Sequence, residues 1–151
     1  MNAAIPPSSG PPQPLKLRAE DEEDLSVLSA ILQDALVPVG EMAYLPEEQR
    51  FVLVANRFKW EPKQGETRPD FERTLTGLRV DGVTGVKRRG FSHADPERLL
   101  ALLAIRREET AIRLDFADGV SVRLETAAIL CHLDDLGEPW PTRWMPSHPV
   151  G

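Results

Sequence analysis

The chain has 151 residues, 24 of them acidic and 18 basic, with a single cysteine. A chain of that size fits one domain with a core of its own, one thiol excludes an internal disulfide, and the net charge of −6 works against a nucleic-acid backbone at long range. Met1 to Pro7 has neither a basic start nor an apolar signal-peptide core, and no stretch reaches the roughly 18 apolar residues of a membrane span. We therefore expect a cytoplasmic protein that is not inserted in a membrane.

Residues 1–14 hold five prolines, two serines and a glycine, with almost nothing apolar to bury. Ordering them would cost backbone entropy without return, so a disordered tail is expected ahead of one domain over 15–148. Leu15 to Ala19 alternates apolar and basic residues and predicts a short strand. A helix should follow, capped by Asp21, with Glu22, Glu23 and Asp24 at the positive end of its dipole. Leu25, Leu28, Leu32, Ala35 and Leu36 form its apolar face, and Pro38 and Gly40 stop it.

From Met42 the period changes to two. Met42–Leu45 and Phe51–Trp60 read as strands joined by Pro46 to Gln49, the second apolar on both faces at its start and therefore central. Thr74–Val80 and Val83–Arg88 are the next two, with Asp81-Gly82 as a turn or bulge between them. After Asp95-Pro96 a helix and a strand compete for residues 98–107; the hairpin downstream wants a neighbour, which favours the strand. In that hairpin a three-residue loop Ala117-Asp118-Gly119 pairs Leu114 with Val122 and Ile112 with Leu124, giving one apolar face, which a two-residue turn would not. Ala127–Leu136 reads as a closing helix with Ile129, Leu130, Leu133 and Leu136 inward. The expected fold class is α+β: a bent antiparallel sheet of about seven strands with an N-terminal helix and a C-terminal capping helix. That order of elements is similar to the pleckstrin-homology-like roll, a likeness that assigns no function.

The chain also resembles a family of uncharacterised single-domain bacterial proteins, best known from alphaproteobacteria and classed as a domain of unknown function. The resemblance rests on Leu17-x-Ala19-x-Asp21-x-x-Asp24-Leu25, Ser29-x-x-x-Gln33-Asp34-Ala35 and Asn56-Arg57-Phe58-x-Trp60-Glu61. Leu102-Leu103-Ala104-Ile105 and Asp135-Leu136-Gly137-x-x-Trp140 complete it. It implies no activity, cofactor or catalytic residue.

Two polar constellations stand out. Asn56, Arg57, Trp60 and Glu61, joined by Gln33 and Asp34, set an Arg fork beside an aromatic ring and an amide, which suits a carboxylate, a phosphate or a peptide backbone. The structural alternative is an ion pair of Arg57 with Asp34 or Glu61. In the second, the hairpin register sets Arg113 opposite Arg123, unfavourable unless Asp115 and Glu125, or else a bound anion or an acidic partner, neutralise them. Lys87-Arg88-Arg89 adds a basic run that reads as a solvated loop. Cys131 and His132 diverge by about 100° on a helix, so no metal or nucleophilic pair is expected there. Trp140 and Trp144 either cover the domain or anchor a partner, a second copy included. The function expected is a non-enzymatic binding or scaffold module for a protein or small anion, without cofactor or metal and with nucleic acid disfavoured. An enzyme with its site around Asp34, Asn56, Arg57 and Glu61 is the second reading.

Overall fold

The computed structural model of the chain describes residues 15–59, 72–136 and 140–141. Strand β1 (Lys16–Ala19) leads into α1 (Glu22–Leu32), whose N-cap Asp21 accepts the Asp24 backbone N–H at 2.8 Å. Replacing Asp21 with Ala should remove about 1 kcal/mol of stability, read as a lowered urea midpoint; an unchanged midpoint would show the cap to be idle. The helix buries Leu25, Leu28 and Leu32 and ends sooner than its apolar spacing predicts. Asp34 turns the chain with φ of 69°, and Leu36–Pro38 is a strand, β2. Ala35 and Val37 are buried on the two-residue period that follows, and the Asp34 N–H donates to the Leu102 carbonyl at 2.7 Å. A sheet neighbour thus replaces the last helical turn.

The remaining strands are β3 (Met42–Leu45), β4 (Arg50–Lys59), β5 (Glu72–Asp81), β6 (Gly85–Arg89), β7 (Leu99–Glu108), β8 (Ala111–Phe116), β9 (Ser121–Glu125), β10 (Cys131–Asp135) and β11 (Trp140–Pro141). Their order is β1-β10-β5-β4-β2-β7-β8-β9-β6, with β3 added to β4 and β11 to β5. Every pairing recorded is antiparallel. β2 is the fold line, since it meets β4 at Leu36↔Asn56 and β7 at three positions. Only residues 82–84 separate β5 from β6, so the far end of the path returns to its middle. Phe51, Leu78 and Leu133 from one half and Leu102, Leu114 and Val122 from the other join one core, which α1 closes against β7. Ser29 on that helix accepts the Ile105 N–H at 2.9 Å.

This is a sheet domain with one helix among the described residues, and the α+β expectation is corrected. Ala127–Leu136 does not form the capping helix. Cys131 and Leu133 are buried and alternate with half-buried His132 and Asp134, because β10 lies between β1 and β5 and finds ladder partners on both edges. Without that helix, and with eleven strands among the described residues in place of about seven, the likeness to the pleckstrin-homology-like roll lapses. Asp81-Gly82 also has another role than a hairpin turn. Gly82, at φ of 81°, carries the chain from β5 across to β6, which pairs with β9 instead. The contested stretch is a strand, β7, over Leu99–Glu108. In the β8–β9 hairpin Leu114 meets Val122 and Ile112 meets Leu124, and both Asp118 and Gly119 take left-handed backbone in the loop.

Candidate functional site

Alternation along β4 puts Phe51, Leu53, Ala55 and Arg57 on the core side, so Arg57 enters the interior as a charge. It is 8% exposed, and the Asp135 side chain it meets is 4% exposed. Arg57 Nη2 donates to both Asp135 carboxylate oxygens at 3.0 Å, and its Nε donates to Thr76 Oγ1 at 2.9 Å. Thr76 donates in turn to Asp135 at 2.8 Å, and the Leu15 N–H adds a bond at 2.9 Å. Burial pushes the Asp135 carboxyl up, but the Leu15 N–H, the Thr76 hydroxyl and the Arg57 guanidinium outweigh it and hold it below the ordinary carboxylate value. This network ties β4, β5 and β10 to the start of β1. The partner of Arg57 is therefore Asp135, not Asp34.

The other members of that constellation lie apart from it. Gln33 and Asp34 are exposed at the end of α1. Asn56 points to the opposite face of β4 from Arg57 and accepts from Arg73 Nη1 at 3.2 Å. Trp60, Glu61 and Trp144 lie outside the described residues, and of Trp140 only the backbone, paired with Arg73 on β5, is described. Cys131 is buried, its thiol pushed up to about 12 by desolvation and by nearby Asp81, so it is no nucleophile at neutral pH. His132 leaves the opposite face of β10, with Nε2 3.8 Å from Asp81. Among the described residues no three His, Cys, Asp or Glu side chains are grouped to hold a metal, and no helix is long and apolar enough to cross a membrane.

The second constellation is drawn together and enlarged. Lys87 on β6 lies opposite Arg123 on β9, Arg123 opposite Arg113 on β8, and Arg113 opposite Arg106 on β7. Four cations therefore line up across four neighbouring strands, on the face turned away from the core. Like charges at that spacing repel unless something intervenes. Carboxylates do so for three of the four. Arg113 Nε meets Asp115 at 2.7 Å, Arg106 Nε meets the same carboxylate at 2.8 Å, and Arg123 Nε meets Glu125 at 2.7 Å. Glu108 lies between the central pair, 3.5 Å from Arg113 and 3.1 Å from Arg123, and Glu109 adds a contact to Arg123 at 3.4 Å. The hydrogen bonds to Asp115 and Glu125 are the leading reason both guanidiniums are raised above their usual value. Burial pushes Asp115 up, but its bonds to Arg106 and Arg113 prevail and lower it; Arg123 lowers Glu125.

Lys87, Arg88 and Arg89 are exposed and have no carboxylate within ion-pair distance among the described residues. They join Arg113, Ser121 and Arg123 around a concavity of about 470 Å³. That volume lies within the range of roughly 300–1,000 Å³ usual for ligand sites. The lining is five cations and a hydroxyl, whereas small-molecule pockets are mostly apolar, so the chemistry it suits is that of an anion. Sequence reasoning found Arg113 and Arg123 through the hairpin register and set the Lys87 run aside as a solvated loop. What was missing was the β6–β9 pairing, which places Lys87 against Arg123 and Arg89 against Ser121, and the β7–β8 pairing, which places Arg106 against Arg113.

Fold and site together define an antiparallel β domain, closed by one helix, that carries a basic concavity on the outer face of its sheet. The chain belongs to the DUF2948 family, described as proteins of unknown function, whose family model matches residues 15–148. The match spans the stretch over which the sequence resembles an uncharacterised single-domain family. Comparisons with curated proteins and with solved structures found no match.

Proposed function

We propose that the domain is a non-enzymatic binding module that holds an anionic group in the concavity between β6, β9 and β8. The observation that supports this is the pairing state of its cations. Arg113 and Arg123 are fixed in place by carboxylates, while Lys87, Arg88 and Arg89 beside them have no ion-pair partner among the described residues. A pre-positioned guanidinium pair, beside three cations that form no ion pair among the described residues, loses little rotamer freedom on taking up an anion. The net charge of −6 opposes a long polyanion at a distance, so a short anionic group is favoured over nucleic acid. A lone buried thiol suits a reducing compartment, and we place the module in the cytoplasm on that ground.

The test is calorimetric titration of the full chain with tripolyphosphate in low salt. One-to-one binding that weakens as salt is added is expected, and Lys87→Gln combined with Arg89→Gln should weaken it about tenfold or more, since a hydrogen bond to a charged group is worth roughly 1.5–3 kcal/mol and 1.4 kcal/mol is tenfold. Absence of heat at low salt, or equal affinity of the double variant, would remove the proposal.

A further inference from the structure

Resting on that reading, we infer that the anion is carried by a peptide: β6 accepts an extended acidic segment of another protein as an added strand, and the segment's alternate carboxylates meet the basic concavity. β6 ends the strand order and pairs only with β9, so among the described residues its other main-chain edge has no neighbour. The chain is fixed at the end of β6. Arg98 Nη1 donates to the Gly90 carbonyl at 3.1 Å, just beyond the strand, and Gly90, at φ of 90°, leaves a Cβ only 3.1 Å from the Gly119 carbonyl and Val120. A five-residue template pinned at one end suits main-chain recognition by strand addition.

The side chains then select the partner. Lys87 and Arg89 lie opposite Arg123 and Ser121, on the outer face and two residues apart, at roughly 6.7 Å along a strand. An added strand would bring its own outer side chains to about 4.5–5.5 Å from them, so Glu or Asp at every second position would pair with both. Arg88 sits opposite core-facing Val122, yet it is exposed and lines the same concavity, which puts its charge at the open edge. Basic residues on an edge strand also repel a second copy of the same strand. The two effects agree: β6 rejects its own kind and admits an acidic strand. Single-stranded nucleic acid is the weaker candidate, because among the described residues no aromatic ring lines the concavity to stack a base.

The experiment measures fluorescence anisotropy of a labelled seven-residue peptide alternating Glu with Val, titrated with the full chain. Two further peptides are N-methylated at every second residue, one at the odd and one at the even positions, and a third has the same composition with its Glu residues clustered. Strand addition predicts that one methylated peptide binds about as well as the parent while the other loses about tenfold or more, and that the clustered peptide is weaker. Equal effects of the two methylations, whether both are tolerated or both abolish binding, overturn it. So does a single-stranded oligonucleotide that outcompetes the peptide at the same salt. Tripolyphosphate separates the two levels: if it binds and no peptide does, strand addition fails and the anion site stands, whereas silence from both removes both.

Discussion

Replacing Arg57 with Ala will destabilise the domain by about 3–5 kcal/mol, the range for removing one partner of a buried ion pair, read from the midpoint of urea unfolding. The loss comes from what remains. Asp135 keeps the Leu15 N–H and the Thr76 hydroxyl but loses the bidentate guanidinium, leaving a carboxylate in a site where its side chain is 4% exposed. Lys in place of Arg57 should recover only part of it, because an ammonium cannot fork onto both oxygens while also reaching Thr76. The Arg57→Ala, Asp135→Ala double variant should lose less than the two single losses added together, as partners in one network do. The pH dependence has a definite sign. The folded Asp135 value lies below the unfolded one, so its contribution is complete above the ordinary carboxylate range near ~4 and is lost as pH falls through the folded value. The gap between wild type and Arg57→Ala should therefore narrow in acid. A loss below about 1 kcal/mol at neutral pH would show that the pair holds little together.

This network also decides where function can reside. Arg57 is the residue a reader of the sequence would first assign to a ligand, since an Arg between an Asn and an aromatic on a strand has the chemistry for one. The fold turns it inward instead and uses it to join three strands. Arg113 and Arg123 face the other way, on the outer surface of the second half of the sheet, with Lys87 in register beside them. One cation is therefore buried in the network that joins the strands and a row of others faces outward, a division set by the two-residue alternation of each strand.

How much of this can be read from the sequence follows from the range of the interactions. Local signals are legible: the Asp21 cap, the two-residue period of β4 and the β8–β9 register, which an unbroken apolar face selects. Pairings between distant segments are not. Asp135 is 78 residues from Arg57, and no local pattern marks one as the partner of the other. Asp81-Gly82 has the form of a hairpin turn, which would set β6 beside β5, whereas β9 holds it. The end of α1 was open to both readings. Ala35 and Leu36 continue the helical spacing and also begin a period-two run, and the carbonyl of Leu102 decided between them.

The C-terminal segment gives the second large effect, and a ranking of three variants tests it. As a helix over 127–136, Ile129, Leu133 and Leu136 would share one buried face, and truncating any of them would be costly. With β10 confined to Cys131–Asp135, Leu133 alone of these three is in the core, at 0% exposure, while Ile129 before the strand is partly buried and Leu136 after it is 54% exposed. Leu133→Ala should therefore cost about 2–5 kcal/mol, by lost transfer energy and the cavity left between the two halves of the sheet. Leu136→Ala should cost under about 1 kcal/mol, because its contact with Gly77 is made from the solvent side. Ile129→Ala should fall between them. One sequence signal already favoured the strand: Asp134 and Asp135 would stand in the last turn of the helix, at the negative end of its dipole, where acids are unfavourable. Comparable losses at Leu133 and Leu136 would restore the helix and remove the ladder that presents Asp135 to Arg57.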